Sequence, residues 1–324
     1  MDEAEKTKIR NLIQYLHHER GISLTDIGKR VGKSSGYMSY LARALGIQPR
    51  DFEESRLKAI KEKRRKYERK PFDGTDQDKA YLLGLRHGDL SVSRPFGHAI
   101  SVSTSTTHPA MAELFERLFS PSGHVYQYPR YKKDTQSYEW NVQTILDESF
   151  EFLLCDMKTC WDWVATKEAT ILSYLAGICD AEGSVDIHRN ARVTAIVLCT
   201  YNTNVNLLEY IKERIQQLGY RPRGLYLDKR KGSRTSKYNI EHRKDYWHIG
   251  VLDFDQSQSL LRRLPLRHRE KIARKELALS LKRGDYWKDV KPRVKALSRS
   301  ILAERRRFVH DAEILYTQRH PKNA

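Results

Sequence analysis

The chain has 324 residues, enough for two or three domains with buried cores, and lacks any run of about 18 apolar residues that could cross a membrane. Its net charge of +18 is typical of nucleic-acid binders, because binding to a polyanion releases counterions. A basic protein without such a partner is the alternative. The N-terminus lacks the apolar core of a signal peptide, and the cysteines lack zinc-site spacing. We therefore expect a cytoplasmic, nucleoid-associated protein without thiolate-bound metal.

The segment from Ser23 to Gly46 predicts a helix-turn-helix unit within residues 1–50. Ser23 can cap the first helix, Gly32 begins a turn with a second cap, and Gly46 closes the second helix. Apolar residues recur every three or four positions on these helices and on the preceding one: Ile9, Leu12, Ile13, Leu16, Leu24, Ile27, Val31, Met38, Leu41 and Leu45. The side chains expected to point outward and read a DNA major groove are Tyr37, Tyr40 and Arg43. A protein-interaction module is the alternative.

Residues 51–75 form a basic run that ends with Pro71 and Gly74. Such a run is typical of a solvated linker, and it can also contact phosphates. It separates the first unit from the rest of the chain.

Two segments of the remaining chain repeat one another. AYLLGLRHGDLSV begins at Ala80, and SYLAGICDAEGSV begins at Ser173. Tyrosine, leucine, glycine and an acid recur in register, and the acids are Asp89 and Glu182.

After each copy, the periodicity predicts two strands, a helix, two strands and a final helix. The fold class is therefore α+β, with two pseudo-symmetric αββαββα halves at residues 76–165 and 166–266. Each half has an antiparallel sheet with one polar, basic face, which is either simply exposed or a concave DNA-binding surface. Residues 267–324 form a basic, helical extension, and we expect it to pack onto the second half through Leu297, Ile301 and Leu302.

The repeated helices carry small residues four positions apart, Gly84 and Gly88 in one, Gly177 and Ala181 in the other. Small residues at this spacing let two helix backbones approach closely. Such a crossing brings Asp89 and Glu182 together at two negative helix ends, where they repel unless a cation lies between them. Oxygen ligands at an open site suit Mg²⁺, and paired acids with bound metal suit phosphodiester hydrolysis.

Leu175 to Gly183 reads LAGICDAEG and closely resembles the motif of the LAGLIDADG homing endonucleases, whereas Leu82 to Leu90 reads LLGLRHGDL and resembles it loosely. The similarity covers residues 76–275 and is of the single-chain, two-repeat type. The segments LRHGDLSVS and TSTTHPAMAELFERLFSPSGHV most resemble archaeal intron-encoded members.

The resemblance implies saddle-shaped sheets in the DNA major groove and a monomer that cuts both strands of double-stranded DNA, leaving 3′ overhangs. It makes Asp89 and Glu182 the catalytic acids and the ligands of Mg²⁺, for which Mn²⁺ substitutes. The backbone carbonyls of Gly88 and Ala181 assist the metal. Lys271 matches the basic catalytic residue of the second half, with Arg269 nearby, whereas the first-half region around Lys158 cannot be aligned.

We predict that DNA contacts come from the open sheet faces and their turns. These residues are Ser91, Ser93, Arg94, Tyr126, Tyr128, Arg130, Lys132, Gln143, Asp186, His188, Arg192, Arg221, Arg223, Lys229 and Arg230, with Tyr37, Tyr40 and Arg43 of the N-terminal unit.

The first motif departs from the family pattern at two positions. Leu90 replaces a glycine expected in the left-handed conformation that ends the helix. His87 replaces the first acid of the motif, which is expected to make a capping contact. We expect Arg86 to face solvent, with an influence on a nearby carboxylate as the alternative.

Two other functions are compatible with the resemblance. Some relatives are transcriptional regulators that combine the fold with a helix-turn-helix and do not cleave, although they place that unit after the repeats and lack the acids. Others are maturases that bind intron RNA during splicing. Both acids survive here, which favours the endonuclease.

Overall fold

The computed structural model describes residues 3–47, 67–96, 99–155, 157–234 and 241–320. The chain divides into two compact units, Met1–Lys66 and Tyr67–Ala324. Most of the predicted linker, residues 51–66, lies outside the described residues. Within the described ranges, no helix combines the length and the apolar character needed to span a bilayer.

The first unit contains the predicted helix pair. Its elements are α1 (Glu3–Gln14), a π-helical turn (Tyr15–Glu19), α2 (Leu24–Arg30) and α3 (Ser35–Ala44). The Ser23 hydroxyl accepts the Asp26 N–H at the start of α2, and the Ser34 hydroxyl accepts the Tyr37 N–H at the start of α3. Gly46 follows α3 with a φ of +68°, a left-handed conformation that favours glycine. Both predicted caps and the glycine stop are confirmed.

The core of this unit forms where the helix faces meet. Its buried residues are Ile13, Ile27, Met38, Ala42 and Ile47. Two residues expected in the apolar faces are exposed instead, Leu12 by 51% and Val31 by 49%. Leu12 lies one position from the inward-facing Ile13, about 100° around the helix, and Val31 follows the last residue of α2 with a non-helical backbone.

The second unit contains two copies of one arrangement of elements. The first copy consists of α4 (Asp76–Gly88), β1 (Ser91–Phe96), β2 (Ala99–Thr106), α5 (Pro109–Phe119), β3 (Val125–Lys132), β4 (Ser137–Leu146), a 3₁₀ helix (Glu148–Leu154) and α6 (Met157–Val164). The second consists of α7 (Glu168–Glu182), β5 (Gly183–Asn190), β6 (Val193–Asn202), α8 (Val205–Gln217), β7 (Arg223–Lys229), β8 (Tyr246–Val251) and α9 (Phe254–Arg263). The C-terminal helices are α10 (Arg269–Leu279) and α11 (Trp287–Arg319).

The two sheets have the same topology. Their strand orders are β1-β2-β4-β3 and β5-β6-β8-β7, and every neighbouring pair is antiparallel. The α+β class with two antiparallel sheets is confirmed. The α-helix predicted after β4 is instead a 3₁₀ helix, in which Phe150 and Leu153 are buried. Residues three apart lie on one side of a 3₁₀ helix, so this spacing suits both side chains to the core.

Each sheet buries one face. Alternate residues of the strands point into the core, as Ile100 and Val102 do on β2 and Val185 and Ile187 on β5. The side chains between them remain accessible, so one face of each sheet is open.

The long helix α11 packs onto both halves, and not only onto the second half as expected. It packs onto the β3–β4 hairpin of the first half, where the Trp140 indole donates a 2.7 Å hydrogen bond to the Phe308 carbonyl and Tyr316 contacts Tyr138. Its start reaches the β5–β6 turn of the second half, where the Trp287 N–H bonds the Arg192 carbonyl. In the expected stripe, Leu302 is 44% exposed, whereas Leu297 and Ile301 are partly buried. Aromatic side chains nearer the helix C-terminus make the contacts with the first half.

Candidate paired-carboxylate site

Helices α4 and α7 cross in backbone contact. A Cβ atom added at Gly84 would overlap the carbonyl oxygen of Tyr174, and one added at Gly177 would overlap that of Tyr81. One turn further, a Cβ at Gly88 would overlap Ala181. The prediction that these small residues permit close approach is therefore confirmed, and the C-terminal ends of both helices converge.

This convergence brings two acids together. Asp89 caps the C-terminus of α4, and Glu182 is the last residue of α7. Burial, and then the negative charge of Asp89, raise the pKa of Glu182 to about 7. Asp89 itself is exposed at the mouth of the site, yet the partial burial of its carboxyl raises its pKa, an effect that Lys271 and His108 oppose. The two carboxylates thus form one site in which both resist ionisation.

Lys271 on α10 lies beside both carboxylates. Its ammonium donates a 3.2 Å hydrogen bond to the Cys179 carbonyl and a second bond to the Gly183 carbonyl. It therefore caps the negative end of α7, and its charge lowers the pKa of both Asp89 and Glu182. Arg269 points elsewhere, since its guanidinium pairs with Glu113 and Glu304.

Arg86 plays the corresponding part at the end of α4. Its guanidinium donates a 3.0 Å hydrogen bond to the Leu90 carbonyl, and Leu90 matches Gly183 in the repeat. The expectation that Arg86 faces solvent is wrong, because the side chain is half-buried and burial lowers its pKa. Leu90 lies just beyond the end of α4, so this bond joins an arginine of the last helical turn to the start of the following strand.

Neither motif ends in the left-handed conformation. Gly183 has φ −80° and ψ 160° and begins β5, and Leu90 is absent from the described residues with positive φ. The expectation of a left-handed glycine is wrong. Glycine is required at position 183 because a Cβ there would lie 2.6 Å from the Cys179 Cα. Leu90 avoids such a contact and is buried in the first-half core.

The acid that His87 replaces has a structural role in the other half. Asp180 is buried, and its Oδ2 accepts hydrogen bonds from the Tyr81 hydroxyl and from the backbone N–H groups of Arg267 and His268. His87 instead lies 2.7 Å from the Tyr174 hydroxyl through Nδ1. Burial, with Arg86 nearby, lowers the pKa of His87 to about 4, so the imidazole is neutral. Its Nδ1 can therefore accept a hydrogen bond from the Tyr174 hydroxyl.

The first sheet places several predicted DNA contacts in one row of its open face. The register aligns Ser91 with Ser103, Ser103 with Gln143, and Gln143 with Tyr126. Ser93, Tyr128, Arg130 and Lys132 are also exposed. Arg94 is exposed but pairs with Glu151 at 2.9 Å.

The second sheet presents its predicted contacts along two edges. His188 lies exposed on β5, and Asp186 accepts a hydrogen bond from the Ser184 hydroxyl. The other exposed residues lie at the β5–β6 turn and along β7, and they are Arg192, Arg221, Arg223, Lys229 and Arg230. On α3 of the first unit, Tyr37, Tyr40 and Arg43 are exposed.

The sequence reasoning missed an aromatic cluster on the open face of the second sheet. The rings of Tyr201 and Tyr226 both contact His248, and the Arg223 guanidinium lies 4.6 Å from the Tyr226 ring centre. The alternation of residues along β7 and β8 could have indicated that these rings share one face. However, β7 contains register shifts against β8 that sequence periodicity does not reveal.

It also missed His108 and Glu270, whose side chains meet beside Asp89 and Lys271. The two residues lie far apart in the chain, and although His108 belongs to the segment TSTTHPAMAELFERLFSPSGHV, nothing in that segment points to Glu270. No local sequence signal could have joined them.

No protein-family profile matches the chain. It is 24% identical over 142 residues, 43% of its length, to uncharacterized protein MJ0314 of Methanocaldococcus jannaschii, and it spans about half (54%) of that relative.

The solved structures that are similar at low identity include the following three. The homing endonuclease I-DmoI in complex with DNA and Mn is 17% identical with a TM-score of 0.40, over 58% of this chain and 96% of that one. The homing endonuclease I-WcaI, bound to its DNA recognition sequence, is 13% identical with a TM-score of 0.42, over 61% and 86%. Full-length DUF199/WhiA from Thermatoga maritima is 16% identical with a TM-score of 0.40, over 78% and 74%. Similarity at this level does not define the family of the chain.

Proposed function

We propose that the protein is a site-specific, Mg²⁺-dependent double-stranded DNA endonuclease of the LAGLIDADG type, acting as a monomer with internal pseudo-twofold symmetry. The observation that carries this proposal is the meeting of Asp89 and Glu182 at the converging ends of two crossing helices. Burial and then the negative charge of Asp89 raise the pKa of Glu182, and a divalent cation between the two carboxylates would relieve this repulsion.

The donor set fits a hard cation at an open site. The described residues contain no cluster of three or more His, Cys, Asp or Glu side chains suited to a metal. Asp89 and Glu182 would therefore share the ion with the carbonyls of Gly88 and Ala181, water and the DNA phosphate. Mg²⁺ is bound in this manner, with few carboxylates and several waters, and Mn²⁺ would substitute. When bound, the metal supplies Lewis acidity that stabilises the attacking and leaving oxygens.

The chain itself supplies position and charge. Lys271 holds the end of α7 in place and offsets the charge of both carboxylates. The open sheet faces, with serines, glutamine, tyrosines and arginines, would bind base edges and phosphates in the major groove. Each half would read one half of the target and cut one strand.

The N-terminal unit would add affinity. Tyr37, Tyr40 and Arg43 are exposed on α3, the position of a recognition helix. A tethered module raises the effective concentration of the second one, so the unit would strengthen binding to a longer site.

Incubation of the purified protein with a plasmid library of random inserts tests the proposal. We expect linear products from a subset of inserts with Mg²⁺ or Mn²⁺ and none with EDTA, and we expect Asp89→Asn to bind the selected inserts without cutting them. Metal-independent binding without cleavage would contradict the endonuclease and support a transcriptional regulator. Stimulation of intron splicing without DNA cleavage would support a maturase.

A further inference from the structure

A histidine and a glutamate meet beside the paired carboxylates. His108 precedes α5, and its Nδ1 lies 3.0 and 3.2 Å from the two carboxylate oxygens of Glu270 on α10. The Glu270 side chain is 10% exposed and that of His108 is 37% exposed. The carboxylate is therefore buried behind an imidazole that reaches solvent.

The backbone holds His108 in this orientation. The Thr106 hydroxyl accepts the N–H of His108 and donates weakly to its carbonyl oxygen, and Pro109 restricts the residue before it. Because Nδ1–H donates to Glu270, the imidazole must present Nε2 as its other nitrogen. A carboxylate that selects the tautomer and orientation of a histidine is the arrangement found behind general bases in many enzymes.

The imidazole opens onto a cleft that adjoins the candidate metal site. The cleft has a volume of about 390 Å³, and its lining includes His108, Gly183, Asp186, Lys271, Arg274 and Arg305. Gly183 follows Glu182 directly, and His108 lies close enough to Asp89 to influence the pKa of that carboxyl. Three cationic side chains make the cleft suitable for a phosphate.

We propose that His108, oriented by Glu270, accepts the proton of the attacking water when the phosphodiester on the Asp89 side is hydrolysed. This inference rests on the proposed endonuclease function. The water oxygen forms a bond to phosphorus, the P–O3′ bond breaks, and Nε2 takes the water proton. The leaving O3′ takes a proton from solvent, so the products are a 5′-phosphate and a 3′-hydroxyl. A positioned base of this kind contributes about 10²- to 10⁴-fold to the rate.

The environment of His108 contains several other charges, which a pH profile must take into account. Glu270, Lys271 and Arg274 belong to α10, with His268 just before it. Asp89 ends α4, Asp186 lies on β5, and Arg305 lies on α11. The pH profiles of variants at positions 108 and 270 are therefore compared with each other, because the profile of one protein alone would not isolate His108.

If the His108–Glu270 pair had a purely structural role, it would serve only to link α5 to α10. The chain provides a matched control for this role, because Glu113 on α5 pairs with Arg269 on α10 at 3.0 Å on the exposed surface. Glu113→Gln breaks a link between the same two helices without changing the cleft.

The experiment measures single-turnover cleavage of each strand of a selected target by the wild type, His108→Ala, Glu270→Gln and Glu113→Gln. We expect His108→Ala to slow one strand about 100-fold more than the other, and added imidazole to restore that strand. Glu270→Gln should shift the pH profile of the same strand, and Glu113→Gln should cut like the wild type. Mg²⁺ binding by calorimetry and target affinity in Ca²⁺ should be unchanged in His108→Ala.

Three results would overturn the inference: equal rates for His108→Ala and Glu113→Gln, a loss that imidazole does not restore, or a loss of Mg²⁺ binding in His108→Ala. In each case the wild type still cuts, so the proposed function stands. A wild type that does not cut any insert removes both proposals.

Discussion

The Tyr81 hydroxyl donates a 2.6 Å hydrogen bond to the buried carboxylate of Asp180 across the crossing of α4 and α7. The repeat places Tyr174 and His87 at the corresponding positions, and these residues also bond to each other. The crossing therefore has one charged and one neutral version of the same contact. This asymmetry leads to the first two predictions.

Tyr81→Phe should lower the free energy of unfolding by about 2 kcal/mol, because a hydrogen bond to a charged group is worth about 1.5–3 kcal/mol. Tyr174→Phe should cost about 1 kcal/mol, since its partner is neutral. Urea unfolding followed by tryptophan fluorescence measures both, because all five tryptophans lie in the second unit. Equal losses in the two variants would contradict an ionised Asp180.

Acidification should destabilise the protein through His87. Its pKa is lowered to about 4 in the folded state by burial and by Arg86, against about 6.5 when unfolded, so the unfolded chain takes up the proton first. Stability from this group is present above about pH 6.5 and falls by about 1.4 kcal/mol per pH unit below it.

His87→Asn retains an acceptor for Tyr174 but cannot titrate. Between pH 6.5 and pH 5, the wild type should lose about 2 kcal/mol more than this variant. Urea unfolding at both pH values measures the difference, and Glu182 and His268 contribute equally to both proteins. The same pH dependence in both would show that His87 is not held neutral by the fold.

The crossing should not tolerate a methyl group. Gly84→Ala and Gly177→Ala should each destabilise the second unit by about 3 kcal/mol or more, because the added Cβ overlaps backbone rather than a flexible side chain. Gly224→Ala is the control, since a Cβ there meets no atom within 4 Å. Thermal unfolding measures all three, and a Gly84→Ala protein as stable as the control would refute the backbone contact.

Glu182→Gln should make the metal-free protein more stable. Burial and the charge of Asp89 raise the pKa of Glu182 to about 7, so the ionised carboxylate present above that pH destabilises the fold, and the neutral amide avoids both burial of charge and repulsion from Asp89. We expect a gain of about 3 kcal/mol at pH 8, because the pKa rises from 4.5 to about 7 and one pKa unit corresponds to about 1.4 kcal/mol. Added Mg²⁺ should stabilise the wild type but not the variant. Calorimetric unfolding with and without the ion measures both effects, and a destabilised metal-free variant would contradict the repulsion.

Much of the architecture could be predicted from the sequence because local chemistry determines it. The two repeated segments, each with leucine, glycine and an acid in register, predicted two equivalent halves. Period-two alternation predicted the open and buried sheet faces. Ser23 and Gly46 marked helix ends through their own side-chain and backbone chemistry. The small residues at positions 84, 88, 177 and 181 predicted the helix crossing, and with it the meeting of Asp89 and Glu182.

What only the tertiary structure decided involves partners far apart in the chain. Arg86 binds the Leu90 carbonyl instead of facing solvent, and Gly183 is needed for close packing against Cys179 rather than for a left-handed turn. The place of α11 on the first half and the pairing of His108 with Glu270 have no local signal. The sequence by itself determined the two halves, their strands and the two acids, because periodicity, capping and residue size act over a few positions. The contacts that the cations and the histidine make around those acids depend on which distant surfaces pack together, and only the folded chain decides that.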